Sequence, residues 1–549
     1  MYASREAETF VQGLADPESV QHEVLMERIV GPNVDSVFGR EHDFSRIKSV
    51  DDYRRAVPIR TYDEHEPWID RIVHGEQGVL TSEDVKRFFL TSGSTSKPKY
   101  IPVTNSFIRT KSRAFGIYWS HVFADHPEAK TGRMITNFSD SGAPEKSPCG
   151  LPASSESAYW ASVTRATQLK ERPIIPKEVA RIKDADARYY AIARVLLEEA
   201  FTVIMTLNPS TILLLFKKLV EYAGDLVADI ERGGIGDRFE LPDDARSIIA
   251  RTYTGNARRA EALRALMGEG GMLAHRIWPA LSLAISWRSP MLKPYLDLLA
   301  PHYGTQVAAR DYLMMASEGV MGMPLQDGGS GGVCGVGLHF YEFVPEEEIE
   351  HAQPTVLLPH ELEVGQKYVL ILTNGSGLYR YNIGDVIRVP GKVRNTPMIE
   401  FLHRAGRTCS MTGEKLTEDQ VTAAVSEVAA QLGLAVESFT LRPAAEGFPR
   451  YVALVELKQS VDEGVLRQFP RRLDAALDRH NIEYGSKRSS ERLEAPELWL
   501  LAPGSYEGWR RSKTAQGTSD SQVKPTHLTR DPAFGQEFTV LSKYVSDAV

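Results

Sequence analysis

Cysteine is scarce in this chain. Cys149, Cys334 and Cys409 lie far apart among 549 residues. With no Cys-x-x-Cys pair they support neither a disulfide framework nor a zinc site, and a reducing cytoplasm is the simplest compartment to expect. Long apolar runs are missing too. No stretch approaches the roughly 18 apolar residues that a membrane span needs, so neither a transmembrane helix nor a membrane partner is expected. The N-terminal run Met1-Tyr2-Ala3-Ser4-Arg5-Glu6-Ala7-Glu8 is charged and lacks the apolar core of a signal peptide. There is no excess of positive charge: the net charge is −8 and the pI near 6.0. That balance argues against a nucleic-acid partner. No internal repeat is apparent.

What is present reads as soluble and globular, with 42% hydrophobic and 25% charged residues. The length suits a large α/β unit followed by a smaller one. The most informative stretch is Phe88-Phe89-Leu90-Thr91-Ser92-Gly93-Ser94-Thr95-Ser96-Lys97-Pro98-Lys99. An apolar strand here delivers a loop dense in hydroxyls, and Ile101-Pro102-Val103 resumes the apolar character. Gly93 lets the backbone come near an anion without Cβ interference. Successive N–H groups and the hydroxyls of Thr91, Ser92, Ser94, Thr95 and Ser96 can donate to phosphate oxygens. Lys97 and Lys99 add positive charge. The spacing is not the G-x-x-x-x-G-K-[ST] of a Walker loop, which disfavours a kinase-type P-loop. The competing reading is a Ser/Thr-rich hairpin connection at the surface.

Taken in order, Val57-Pro58-Ile59 reads as a short extended piece, and Thr61 with Glu64 as a capping box. Thr104 to Phe123 reads as a helix capped by Thr104 or Asn105. Arg109, Lys111 and Arg113 lie on it; one of them, Arg113 first, could meet a substrate carboxylate, against a solvated basic face as the alternative. Residues 131–165 read as a long loop. From Ile277 onward strand, helix and strand alternate, which predicts a parallel sheet with ligand chemistry at its strand C-termini. Met315-Ala316-Ser317-Glu318-Gly319 is expected at such an end, where Glu318 is either a Mg²⁺ ligand or a turn residue. Gly328-Gly329-Ser330-Gly331-Gly332 reads as a flexible connection into the Phe340–Pro345 strand. Asp385, after Gly384 in an expected turn between strands, can accept from two ribose hydroxyls at once or simply serve the turn. Aromatic residues such as Tyr118 and Trp287 are candidates for a substrate pocket or for the core. A domain boundary is placed so that residues 1–405 form the large unit and 406–549 the small one, in which Glu418 to Leu432 is a helix.

The order of residues in the phosphate loop resembles the signature of the adenylate-forming superfamily. Further blocks resemble one branch of it, the auxin-responsive acyl acid amido synthetases of the Gretchen Hagen family. These are Val57-Pro58, Trp68 to Glu76, Asn208-Pro209-Ser210, Ala316-Ser317-Glu318, Leu378-Tyr379-Arg380-Tyr381 with Gly384-Asp385, Gly413-Glu414-Lys415, and Asn481 with Tyr484. They recur in family order from about residue 50 to the end. The resemblance implies a large adenylate-forming α/β domain with mixed and parallel sheets flanked by helices, plus a mobile C-terminal α/β domain. It also implies ATP and Mg²⁺, a small carboxylic acid, and an amine or amino acid as acceptor; a bacterial-type member is expected. By position it implies that Ser92 to Lys99 hold phosphate and that Ala316 and Ser317 lie by the adenine or α-phosphate. Glu318 would act on Mg²⁺ or phosphate, Asp385 on the ribose, and Arg404 at the hinge. Lys415 or Lys524 would reach the phosphates from the C-terminal domain. Ser94 and Ser96 stand where many members carry Thr and Gly, and residues 328–339 are unusually glycine-rich; both leave the pocket shape open. The alternatives are an acyl-CoA or carrier-protein ligase and a non-catalytic nucleotide-binding protein.

Overall fold

The structure is a computed structural model. It describes residues 2–91, 99–136, 144–167, 173–268, 271–404, 409, 411, 414, 416–444, 449–489, 493–515, 526–529 and 531–546. The chain divides into two compact units, Met1–Phe401 and Leu402–Val549.

Among the described residues, three sheets build the first unit. β1 (Arg87–Thr91) and β2 (Lys99–Val103) form an antiparallel hairpin whose last pair is Thr91 opposite Lys99. Residues 92–98, the expected phosphate loop, join these ends and lie outside the described residues. The next strand, β3 (Met134–Ile135), opens a second sheet, while β4 (Glu145–Lys146) and β5 (Pro152–Ser154) return to the first, with β5 parallel to β1. The region read as a long loop therefore contains three short strands and the Glu156–Thr167 helix. Strands of two or three residues leave too short a pattern for hydrophobic periodicity to register.

The second sheet matches the expected alternation. β6 (Val203–Met205), β7 (Leu283–Ser286) and β8 (Ala308–Asp311) lie parallel beside β3 in the order β3-β6-β7-β8. Helices over Pro209–Glu221 and Lys293–Tyr303 supply the crossovers.

The third sheet departs from it. β9 (Met314–Ala316) and β10 (Gly319–Met323) form an antiparallel hairpin, so Glu318 does not end a parallel strand but stands in the two-residue turn Ser317-Glu318. β11 (Gly332–Cys334), β12 (Phe340–Pro345), β13 (Lys367–Thr373), β14 (Tyr381–Arg388), β15 (Lys392–Val393) and β16 (Thr396–Arg404) complete this sheet. Its order is β12-β13-β14-β16-β11-β10-β9, with β15 on β16. The glycine run before β11 is not a loose connection. Gly332 lies inside β11, where an added Cβ would come 2.2 Å from the Met323 carbonyl carbon. Gly331 N–H donates to Asp311 Oδ2 at 2.7 Å, and Gly328 N–H to the Ala309 carbonyl at 3.0 Å. Glycine is used here for close approach rather than for looseness.

The second unit has its own sheet, β17 (Val436–Pro443), β18 (Tyr451–Leu457), β19 (Glu497–Leu501) and β20 (Val540–Tyr544), in that order. The Glu418–Leu432 helix has the expected bounds and buries Val421, Val425 and Val428. Thr417 caps it with Gln420 in a capping box. The Phe469–His480 helix adds Leu473 and Leu477 to the same core.

Candidate functional site

Several sequence blocks that lie hundreds of residues apart meet around the Ser317-Glu318 turn. Glu318 itself is 5% exposed. Its carbonyl accepts from Asn374 Nδ2 at 2.7 Å. Asn374 follows β13 directly, and its Oδ1 accepts from Ser376 N–H and Oγ, both at 2.9 Å, and from Leu378 N–H at 3.2 Å. This asparagine therefore ties the turn to the Leu378-Tyr379-Arg380-Tyr381 block. Arg60, just past Val57-Pro58, pairs with that block in turn. Its N–H donates to the Arg380 carbonyl at 3.0 Å, and its carbonyl accepts from Asn382 N–H at 2.8 Å. Arg380 adopts φ +46, a costly conformation for a side-chain-bearing residue. Its guanidinium is held in place by Glu342 (Nε to Oε2, 2.7 Å) and by the Val57 carbonyl (2.9 Å).

The phosphate-loop hairpin reaches the same place. Lys99 opens β2, with its Nζ 4.8 Å from the centre of the Tyr62 ring. Tyr62 begins the Tyr62–Val73 helix, which Thr61 and Glu64 start as a capping box. The Tyr62 hydroxyl accepts from Tyr100 N–H at 2.8 Å, which fixes the ring against β2. Burial first, and to a lesser degree the nearby charges of Glu66 and Glu318, push this phenol up to about 12. It stays a neutral hydroxyl at physiological pH.

Asp385 lies inside β14, not in a turn between strands. Val369 pairs with Val386 and Ile371 with Asn382, so Ile383, Gly384 and Asp385 stand opposite Leu370 alone. The bulge is possible because Gly384 takes φ +76. Gly384 N–H is met by Asn382 Oδ1 at 2.9 Å. Asp385 is 5% exposed.

Beneath the turn is a lysine that the sequence places most simply on a solvated face. Lys111 is fully buried, and its Nζ donates to Glu156 Oε1 at 2.6 Å and to the Ala316 carbonyl at 2.7 Å. The signal was present in the sequence: Phe107, Lys111, Ala114 and Tyr118 follow one another at helical spacing on the buried stripe of the Asn105–Asp125 helix. Burial lowers the Lys111 pKa, opposed by the charges of Glu156 and Glu318. Glu156 Oε1 also accepts from Trp160 Nε1 at 2.9 Å. Trp160 stands edge-on to Phe115 and Tyr159, and the Arg87 guanidinium lies 4.2 Å over the Tyr159 ring. This aromatic group is joined through Glu156 and Lys111 to the residue just before the turn.

The three expected substrate residues are engaged elsewhere. Arg113 is taken up by Glu6 Oε2 at 2.6 Å and the Gly337 carbonyl at 3.0 Å. Tyr118 is fully buried, with its hydroxyl donating to the Asp311 carbonyl at 2.9 Å. Trp287 Nε1 donates to the Leu313 carbonyl at 3.0 Å. Asp311 ends β8, and its carboxylate accepts from Arg288 and Gly331 N–H groups at 3.0 and 2.7 Å; burial pushes it up to about 7. Arg404 is the last residue of β16. Lys415 and Lys524, like Ser92, Gly93, Ser94, Thr95 and Ser96, lie outside the described residues. Two other expected blocks have structural tasks. Glu414 Oε1 accepts from the buried Tyr451 hydroxyl and from Met411 N–H at 2.7 Å. Asn481 Oδ1 accepts from Tyr484 N–H at 2.8 Å.

Known proteins share this organisation from end to end. The GH3 family N-terminal domain matches residues 6–308, its central domain residues 333–404 and its C-terminal domain residues 419–533. A rice protein (Oryza sativa subsp. japonica) named probable indole-3-acetic acid-amido synthetase GH3.12 is 25% identical over 94% of this chain and 92% of its own. The jasmonoyl–L-amino acid synthetase GH3.5 of the same plant is 23% identical over 97% and 96%. The solved structure of the AtGH3.15 acyl acid amido synthetase in complex with 2,4-DB superposes with a TM-score of 0.85 at 20% identity, over 99% of this chain and 97% of that one. That likeness establishes the shared α/β fold. The named relatives are plant proteins and lend no support to a bacterial type. With the N-terminal domain alone covering residues 6–308 and the other two following in order, the chain belongs to the GH3 family.

Proposed function

We propose that this protein is an ATP-dependent acyl acid amido synthetase. The observation that carries the reading is the near end-to-end match to proteins named indole-3-acetic acid-amido and jasmonoyl–L-amino acid synthetases. In the first step a carboxylate oxygen of the acid attacks the α-phosphorus of ATP. The acyl–oxygen–phosphorus link forms, and pyrophosphate leaves with the electrons of the broken P–O bond. In the second step the nitrogen of an amino acid or other amine attacks the acyl carbon, AMP leaves, and the nitrogen gives up a proton. No protein nucleophile is required, because AMP is already a good leaving group; the protein positions the reactants and offsets charge.

The proposed roles are those the family resemblance implies by position, with the described contacts in support where they exist. Lys99, whose Nζ lies 4.8 Å from the centre of the Tyr62 ring where β2 begins, is proposed for the phosphates. Glu318 is held at its turn by buried partners on both sides. A hard carboxylate oxygen at that place suits Mg²⁺, which takes one or two carboxylates and completes its shell with phosphate oxygens and water. Bound there by Glu318, Mg²⁺ would neutralise phosphate charge. Asp385 is proposed for the ribose, Ala316 and Ser317 for the adenine side, and Lys415 or Lys524 as the cation on the phosphates. The Phe115, Tyr159 and Trp160 group is proposed as the acid-facing wall in place of Arg113, Tyr118 and Trp287. No described helix is long and apolar enough to cross a membrane, and the cytoplasm is the proposed compartment.

ATP–pyrophosphate exchange across a panel of carboxylic acids, followed by product mass with amino acids or coenzyme A, tests the reading. Acid-dependent exchange and an amide product are expected. A thioester product, or no exchange with any acid, overturns it. Glu318→Ala and Asp385→Ala should each lower exchange by about 10- to 100-fold, or about 1.4–3 kcal/mol of transition-state stabilisation, with the fold intact by circular dichroism. Wild-type exchange in either variant removes that residue from the site.

A further inference from the structure

The chemistry above gives Lys111 no task, yet the fold places a cation where cations are costly. Its side chain is 0% exposed. The Nζ lies 5.7 Å from the centre of the Phe89 ring on β1 and 5.2 Å from that of Phe107. A buried ion pair of this kind is commonly replaced by apolar residues without loss of stability, so packing alone does not account for it. Its hydrogen bonds do. One goes to Glu156 Oε1 at 2.6 Å, and the other to the carbonyl of Ala316 at 2.7 Å. Ala316 is the last residue of β9, immediately before the Ser317-Glu318 turn. On the far side of the same turn, Asn374 Nδ2 holds the Glu318 carbonyl. Two buried side chains thus grip the turn by the carbonyls at its two ends.

We infer that Lys111, seated on Glu156, is a positioning residue for adenylation: it fixes the turn that presents Glu318 to the phosphates and their metal. The inference rests on the role proposed for Glu318. Its physical basis is the steep dependence of phosphoryl-group chemistry on the placement of its charged groups, where about 1 Å of displacement costs about 100-fold. A two-residue hairpin turn whose anchoring carbonyl loses the Lys111 donor gains that freedom. Glu156 completes the device by balancing the lysine's charge, and Trp160 fixes Glu156 in turn.

Three proteins decide the question by acid-dependent ATP–pyrophosphate exchange, titrated with Mg²⁺: the wild type, Lys111→Met, and the double variant Lys111→Met with Glu156→Gln. The single variant leaves an unpaired buried carboxylate. The double variant removes that charge while keeping an acceptor for Trp160, so it reports on the lost bond to Ala316 even if the single variant does not fold. In the double variant, kcat per folded molecule should fall at least tenfold and half-saturating Mg²⁺ should rise several-fold, with KM for the acid within about twofold. A lowered unfolding temperature with unchanged kcat and Mg²⁺ dependence overturns the positioning role and leaves the adenylation reading standing. Absence of exchange in the wild type removes the adenylation reading and this role with it.

Discussion

His339 shows what burial does to a single titratable group in this protein. It is 1% exposed, and its Nε2 has no hydrogen-bond partner among the described residues. Burial first, and then the charge of Lys111, lower its pKa to about 3. A pKa depressed below the unfolded value of 6.5 means that stability is fully present above pH 6.5 and is lost as the pH falls toward 3. Between pH 6.5 and 5 the loss is about 2 kcal/mol. Asp311 works in the opposite sense: its raised value makes the folded state lose stability as the pH rises from about 4 to about 7. The difference between wild type and His339→Phe isolates the histidine. Urea unfolding at pH 7.5 and pH 5 should show the variant's stability falling by about 2 kcal/mol less than that of the wild type over that interval. Parallel pH profiles would mean that the imidazole titrates normally in the fold. Lys111 likewise depends on what surrounds it. Its place on the apolar stripe was readable, but whether a lysine on such a stripe reaches water or a buried carboxylate depends on Glu156, 45 residues away, and on the Ala316 carbonyl, 205 residues away.

At the scale of elements, regular pieces were legible and irregular ones were not. The Glu418–Leu432 helix announces itself by a four-three-four apolar spacing and a capping residue. The parallel strands β6, β7 and β8 announce themselves as apolar runs separated by helices. The bulge in β14 does not. Gly384-Asp385 has the composition of a turn, and only pairing with β13 shows that the strand runs straight through it. The bulge makes a specific demand, because Gly384 takes φ +76. Gly384→Ala should cost about 1–2 kcal/mol of stability from the left-handed conformation alone. By displacing Asp385 it should also raise KM for ATP more than KM for the acid. A thermal melt and exchange kinetics on the same preparation check both, and equal changes in the two KM values would detach Asp385 from the nucleotide. The Ser317-Glu318 turn escapes the sequence pattern for a related reason. The βαβ rhythm ends at β8, and Met314 begins a hairpin, but a three-residue strand carries too little pattern to mark the change.

For the whole molecule, the two units have separate interiors. Within Leu402–Val549, the core of Val421, Val425, Leu473, Leu477, Tyr451 and Tyr484 is built, among the described residues, from that unit alone. Arg488 pairs with both oxygens of Asp474 at 2.7 and 2.8 Å, and Tyr484 donates to the same carboxylate at 2.7 Å. A fragment of residues 405–549 should therefore fold alone, with a cooperative thermal transition by circular dichroism and the mixed α/β signature of its four-stranded sheet. A non-cooperative melt would show that it needs the first unit to form its core. The family blocks, the α/β class, the helix periods and the types of side chain at the site are readable from residue order alone, because these depend on local spacing and on residue chemistry. It takes the folded chain to show that Asn374 joins two of those blocks, that Lys111 is sealed beneath the Glu318 turn, and that Arg113, Tyr118 and Trp287 have hydrogen-bond partners of their own. Each of those outcomes turns on a hydrogen-bond partner distant in the chain, and the partner a buried polar group finds is set by which strands and helices pack together.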